Sequence, residues 1–300
     1  MKERRNKIFL TGATGFVGKH LLNALIKEGM EVKCCVRGNN IRKVKTIEER
    51  GGIPVTECDV RDIESLRRGI RGAKYVIHLV GIIREKCEET FEKIHLEGTR
   101  NLVTAAKEEG IEKFLHISAI GANPGEKIPY LKTKGEAENI IRNSDLNFVI
   151  LRPSIILGKG SHLINLFLKT MRLFHFFPLP DGGNFLLSPV WIGDVVESFI
   201  KSLKEDITGT FDLCGPDIIT YREFLSYIEE EAMIRVLFLK IPSCIMIVPL
   251  SIIEKFSIPL PVTSDQLKML KMGSICPSGS PWKEWGITPL STREAIKNSI

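Results

Sequence analysis

The sequence has no C-x-x-C pair, no uncharged run long enough to cross a bilayer, and few aromatic residues, 7% of 300. Its seven cysteines are odd in number and scattered. That argues against a zinc site and a disulfide scaffold, and suits a reducing cytoplasm. The vicinal Cys34 and Cys35 are open to two readings, a redox pair or small apolar residues in a buried strand. Neither sign of charge dominates: the net charge of +6 is spread along the chain, densest in "MKERR". No interleaving of arginines with aromatics marks a nucleic-acid surface, so no nucleic-acid partner is expected. The modest basic balance is compatible with an anionic cofactor or an anionic membrane face. The opening "MKERRNKIFL" leads from a basic cluster directly into a strand-like run, without an apolar signal core. The expectation is therefore no export signal and a cytoplasmic chain, with a peripheral place on the cytoplasmic membrane face as its extension.

What the sequence does contain is an alternation of apolar strands and helical patterns. "KIFL" reads as a first strand, and Val17, Leu21, Leu22, Leu25 and Ile26 share one helical face that Gly29 ends. "EVKCCV" follows, then Ile41, Val44 and Ile47 at helical spacing, the strand "IPVTEC", and a helix capped by Asp62. "KYVIHLV", a long helical pattern from about Phe91 to Gly110, "KFLHIS", a helix starting near Tyr130 and "NFVILRP" complete the first half. Short strands apolar on both faces, each separated by one helix, predict an α/β fold: a Rossmann-type doubly wound parallel sheet.

Beyond Pro153 the rhythm breaks into helical patterns (161–172, 194–204, 221–231), short strands and many prolines. The reading is a binding domain over 1–153 and a smaller, discontinuous, mixed α/β lobe over 154–300 for substrate or partner, with some segments returning to the first domain. Thr263 with Gln266 and Ser291 with Glu294 form capping-box patterns. "IPSCIMIVPLSII", Ile241 to Ile253, is thirteen uncharged residues broken by two prolines. It is too short for a membrane span, and core packing is its default reading, an exposed apolar patch the alternative.

The motif "TGATGFVG" sits between the first strand and the first helix, where a glycine pattern carries weight. Its glycines permit a tight turn and close backbone approach, and the helix N-terminus offers N–H groups and a positive dipole to a pyrophosphate. Gly12, Thr14, Gly15, Phe16, Val17 and Gly18 are thus candidate dinucleotide contacts; a plain βα turn is the alternative. An NAD-selective site would carry Asp or Glu at the end of the second strand. Arg37 stands there, with Arg42 and Lys43 behind it. A guanidinium suits a 2′-phosphate, which favours NADP(H) over NAD(H), although an outward-pointing Arg37 would leave selectivity weak. Asp59 and Val60 follow the third strand where an adenine edge is read. Leu79, Val80 and Gly81 end the fourth, where backbone passes close to a ligand.

These segments, with "CDVRD", "HLEGTRNLVTAA", "HISA", "YLKTK", "LRPSIILG" and "PVWIGDVV" in order, resemble the short-chain dehydrogenase/reductase superfamily in its extended and atypical branches. "HLVGIIRE", "FEKIHLEGTRNLV", "HISAIGA" and "LPVTSDQLKMLKM" look like the branch of complex I alpha subcomplex subunit 9. The resemblance implies that Tyr130 is a general acid/base and Lys134 its helper and a ribose contact, and that Pro153, Ser154 and Ile155 lie against the nicotinamide. Spacing agrees: residues i and i+4 share a helix face, and a nearby ammonium favours phenolate. A surface Tyr and Lys, or a pair that only grips cofactor, are the other readings. The chain also departs from the family. Ala119 stands where active extended members carry a catalytic Ser or Thr, leaving Ser118 as a displaced substitute. His95 replaces a common asparagine, as a proton relay or a structural group. Two functions are therefore expected. One is an NADP(H)-holding accessory protein of a membrane redox complex. The other is an active reductase, epimerase or dehydratase on a nucleotide-sugar or other small molecule.

Overall fold

The computed structural model describes residues 7–38, 52–255 and 262–300. The helical pattern of Ile41, Val44 and Ile47, and with it Arg42 and Lys43, lies outside the described residues. Two compact units are present, Met1–Arg152 with Val196–Phe211, and Pro153–Val195 with Asp212–Ile300.

In the first unit, β1 (Lys7–Thr11) leads to α1 (Phe16–Lys27), β2 (Glu31–Val36), β3 (Val55–Glu57), α2 (Ile63–Ile70) and β4 (Tyr75–His78). A π-helical turn, Glu92–Glu97, then runs into α3 (Gly98–Glu109), followed by β5 (Lys113–Ile117), α4 (Pro129–Arg142) and β6 (Phe148–Pro153). Local chemistry sets these bounds. Asp62 caps α2 by accepting from the Glu64 N–H at 3.0 Å. Proline opens α4, where a missing N–H costs nothing. Leu21, Leu22 and Leu25 form the buried stripe of α1.

The second unit carries β7 (Ile156–Leu157), α5 (His162–Phe174), β8 (Phe176–Pro180), β9 (Leu186–Leu187) and β10 (Val190–Trp191). The chain continues through α6 (Ile192–Lys204), β11 (Gly209–Leu213), β12 (Ile219–Thr220), α7 (Tyr221–Glu231) and β13 (Leu237–Ile241). Helices α8 (Ser243–Lys255), α9 (Ser264–Met272) and α10 (Thr292–Lys297) follow. Its core is Phe167, Met171, Leu187, Phe224, Ile228 and Ile296 with their neighbours.

The central sheet has the order β3-β2-β1-β4-β5-β6-β11. The pairings β1 with β2 and β4, β2 with β3, β4 with β5, and β5 with β6 are parallel. Strand β5, between β4 and β6, is buried at all five positions, as a strand covered on both faces must be. Phe9, Val76, Phe114 and Ile150 from four strands pack with Leu66 and Ile70 of α2, Leu102 and Ala106 of α3, and Ile141 of α4. From β1 the chain moves outward to β2 and β3, then returns across to β4. That reversal puts the ends of β1 and β4 side by side, the place where such sheets bind ligands. Glu138, fully buried on α4, accepts from Arg142 at 2.6 Å and from Arg152 of β6 at 2.5 and 2.8 Å, fastening helix to sheet.

Several expectations are corrected. Cys35 bonds with Cys58, and Cys214 with Cys276, where no disulfides were expected. An odd cysteine count leaves a remainder but does not forbid pairs that the fold brings together. Residues 35 and 58 are brought together because β2 and β3 are neighbours, Cys35 lying opposite Thr56. Cys34, the other half of the vicinal pair, is buried and free, and burial pushes its thiol up to about 12. The stretch from Ile241 forms α8 with exposed Cys244, Ile245 and Pro249, so its described part is not simply core. "NFLLSPV" gives two strands of two residues each. A capping box at Thr220 and Glu223 joins the expected one at Thr263 and Gln266. Among the described residues no helix is long and apolar enough to cross a membrane.

Candidate dinucleotide site

The glycine loop is built by backbone contact. Gly15 N–H donates to the Gly12 carbonyl at 3.0 Å, closing a turn between β1 and α1. Gly12 has φ +79°, and a Cβ there would lie 2.9 Å from the Leu79 carbonyl carbon and 3.0 Å from Val80 N. A Cβ on Gly18 would lie 2.1 Å from the Gly12 oxygen. The loop therefore holds α1 hard against the strand end and passes just over the segment that follows β4. Gly15 is the N-cap of α1 and no side chain caps that end. The first-turn N–H groups, of Phe16, Val17 and Gly18, lack intrahelical partners and suit an anion. Thr14 lies half-buried in the same loop.

Behind the ends of β4 and β5 lies a buried polar cluster. Ile82 N–H donates to His95 Nε2 at 3.1 Å, which makes that nitrogen an acceptor. The proton of neutral His95 then sits on Nδ1, 3.0 Å from Thr133 Oγ1, whose hydroxyl donates to the Pro129 carbonyl at 2.8 Å. Both ring nitrogens are committed to structure, which favours the structural reading of His95 over a relay. His78 bridges Thr11 Oγ1 at 2.9 Å and Thr99 Oγ1 at 3.2 Å. Among the described residues, both ring nitrogens of His116 and Ser118 Oγ are buried with no hydrogen-bond partner.

Tyr130 and Lys134 occupy successive turns of α4. Lys134 is 4% exposed, and its ammonium donates to the Ile117 carbonyl at 3.0 Å. Burial lowers its pKa to about 8, against the pull of Glu138. A Cβ on Gly81 would come within 3.2 Å of Lys134 Nζ and 3.6 Å of His95 Nε2, so Gly81 faces this pair. The Tyr130 ring packs edge-on against Phe91 and His95, at centroid distances of 5.9 and 5.6 Å. Burial pushes its phenol up to about 12. Desolvation sets that shift, not the lowering that the spacing to Lys134 led one to expect.

At the β2–β3 side an open cleft of about 460 Å³ is lined by Arg37, Gly38, Glu57, Asp59, Arg61 and Arg68, among others. Arg37 forms an ion pair with Glu89, which the sequence reading did not anticipate. Asp59 accepts from Arg61 at 3.0 and 2.6 Å; burial works to raise its carboxyl, but the Arg61 bonds outweigh it and hold it below the ordinary range. Val60 is buried, and its carbonyl accepts from Asn101 at 3.0 Å. Both adenine candidates thus already have protein partners. Leu79 and Val80 are half-buried beside the Gly12 turn. Pro153, Ser154 and Ile155 belong to the second unit, where Ser154 Oγ bonds Ser274 at 2.8 Å. Sequence reasoning missed Thr133, Thr11, Thr99 and Glu89. The i−1 position of Thr133 beside Lys134 was the one available signal.

The residues fit a dinucleotide on three counts: the cradle that Cβ atoms would fill, the uncapped start of α1, and the orphaned Ser118 Oγ. A nicotinamide dinucleotide held there supplies hydride chemistry. The glycine loop would hold its pyrophosphate, with Lys134 and Tyr130 toward the ends of β4 and β5.

Two outcomes follow from this geometry. Gly18→Ala should cost about 1–3 kcal/mol through overpacking and weaken NAD(P)H binding at least tenfold. Thermal melting and a binding titration check it, and unchanged values would refute the close approach. The buried imidazoles give a pH dependence. Burial, helped by the Lys134 charge, takes His78 from 6.5 down to about 3 and His95 to about 2, and holds His116 well below its ordinary value. Below pH 6.5 the unfolded chain takes up protons that the folded chain refuses, so stability falls as pH falls through that window. The melting temperature should drop between pH 7 and 5, before most carboxylates titrate; a flat profile would overturn the assignment of neutral buried rings.

Residues 12–169 match the model of the NAD(P)H-binding family. The chain is 30% identical over 218 residues to NADH dehydrogenase [ubiquinone] 1 alpha subcomplex subunit 9, mitochondrial, of Arabidopsis thaliana, across 71% of this chain and 54% of that protein. It is 30% identical over 158 residues to ceramide reductase of Caulobacter vibrioides, across 53% of this chain and 49% of the relative. The chain therefore spans about half the length of each of these two relatives. In fold it is similar to NADPH-dependent quinone oxidoreductase QOR2 of Escherichia coli, solved with NADPH: TM-score 0.76, 17% identity, covering 96% of this chain and 98% of that one. With the glycine loop, the strand-end crevice and the match over more than half its residues, this chain belongs to the NAD(P)H-binding family.

Proposed function

We propose that this chain holds NADP(H) as a structural cofactor, without ready turnover, in the manner of an accessory subunit of a membrane redox complex. In this reading it sits peripherally at the cytoplasmic face of the membrane. The observation that carries it is the end of β5. Position 119 is alanine, Ser118 Oγ is buried, and the phenol of Tyr130 is raised rather than lowered. A site so equipped has no exposed hydroxyl at that position to polarise a carbonyl, and a Tyr whose phenolate is harder to form than usual. The likeness to alpha subcomplex subunit 9 supports the accessory role, and Arg37 supports the phosphorylated cofactor.

A specific observation keeps a second reading in play: Ser118 Oγ is unpartnered, and Tyr130 and Lys134 retain their shared helix face. On that reading the chain is a reductase, epimerase or dehydratase for a small molecule, with Tyr130 exchanging the proton.

Native gel electrophoresis of mildly solubilised membranes, with the protein tagged at its own locus, separates the two. The accessory reading expects co-migration with a large redox complex, and Tyr130→Phe that preserves both the complex and cofactor retention. A small soluble species, with a turnover that Tyr130→Phe cuts by roughly 10²–10⁴, would replace it with the enzyme reading. For the cofactor, Arg37→Asp should weaken NADPH binding at least tenfold while sparing NADH; equal relative affinities before and after would sink the NADP(H) assignment.

A further inference from the structure

Arg37 is not waiting for a phosphate. Its guanidinium is paired with Glu89, and both side chains are about one-third exposed, 39% and 33%. Glu89 is delivered by a two-residue β-hairpin: Lys86 and Glu89 exchange backbone hydrogen bonds of 3.1 and 2.9 Å around Cys87 and Glu88. The hairpin is itself anchored. Phe91 N–H donates to the Glu85 carboxylate at 2.7 Å, and Lys93 pairs with Glu88 at 2.6 Å. The position of the Glu89 backbone is thus fixed independently of Arg37.

Several other charges of the cleft are committed too. Asp59 holds Arg61 in a two-point pair, and Asp62 caps α2. Among the described residues Arg68 is the one cleft arginine with no ion pair, and Glu57 adds a carboxylate that lies against Gly38. Among the described residues, three arginines face four carboxylates once Glu89 is counted with Glu57, Asp59 and Asp62. A 2′-phosphate entering here has to take Arg37 from Glu89 and meet that carboxylate's repulsion. A ribose with a free 2′-hydroxyl meets neither cost.

We infer that Glu89 is a selectivity residue: it stands in for the 2′-phosphate on Arg37 and competes with it, holding down the preference for NADPH over NADH. The inference rests on the proposed NADP(H) reading and adds the residue that opposes it. Since the pair is at the surface, its release is worth a small factor, and salt screens it.

The test measures equilibrium dissociation constants for NADPH and NADH on the full chain, at low and high salt, for the wild type, Glu89→Gln, Arg37→Ala and the double variant. Glu89→Gln keeps the size of the side chain and leaves the hairpin's backbone bonds intact; matching thermal melts verify this. The expected result is NADPH binding about two- to fivefold tighter in Glu89→Gln, with NADH unchanged. The gain should shrink at high salt and vanish when Arg37→Ala is also present. If Arg37→Ala weakens NADPH but Glu89→Gln fails to tighten it, competition by Glu89 is wrong and the NADP(H) reading stands. Should Arg37→Ala leave NADPH binding unchanged, both fall.

Discussion

The contact between Gly18 and the Gly12 carbonyl is the constraint on which the site depends. With only 2.1 Å available to a Cβ, the first turn of α1 is pressed against the end of β1. The same turn brings Gly12 over the backbone of Leu79 and Val80, so β1, α1 and the segment after β4 are fixed by one set of backbone approaches. Hydrogen bonding alone would not achieve this. A single bond from Gly15 to Gly12 closes the turn, but it is the absence of side-chain volume that sets the spacing. The consequence is a helix N-terminus aimed at the crevice where the sheet reverses direction, with no side chain interposed.

The same close approach explains the polar cluster behind it. Once the strand ends are sealed against α1 and α4, the groups at their tips leave water. Lys134 keeps a proton there by bonding the Ile117 carbonyl, and its charge is then felt by every imidazole nearby. His78, His95 and His116 stay neutral, first because burial penalises their charged forms and then because of that charge, and two of them are wired through threonine hydroxyls. In a low-dielectric cluster only one of these basic groups readily holds a proton, and Lys134 is that group. The arrangement orients the site at a cost in acid stability, and it leaves Tyr130 without the activating partner that sequence spacing had promised.

Much of this was legible in the sequence where the physics is local. The period of apolar residues located α1 and the strands, Asp62 marked a helix start, and Gly110 marked a helix end. The glycine motif was readable because its context, strand before and helix after, is also local. What could not be read were contacts between distant segments. Cys35 meets Cys58 only because β2 and β3 are neighbours. The π-helical turn at Glu92–Glu97, which carries His95, has no periodicity signature of its own. The pairing of Arg37 with Glu89 spans 52 residues and depends on a hairpin whose turn has no Gly or Asn to betray it. Arg37 could be assigned a chemistry from sequence, but not a partner.

The two ends of the site differ in kind. Around Arg37 the groups are charged, partly exposed and paired by salt bridges that water and ions weaken. Around Lys134 they are buried, mostly neutral and largely joined by hydrogen bonds. A substitution at the exposed end exchanges one weak pair for another and shifts preference by small factors. At the buried end, the same change strands a desolvated group and costs far more. Cofactor preference is therefore the property this fold can alter cheaply. The state of Tyr130 is tied to the packing of the unit as a whole. A chain with this division can lose turnover while keeping its grip on a dinucleotide, because the pyrophosphate cradle depends on backbone alone and not on any residue that the chemistry would need.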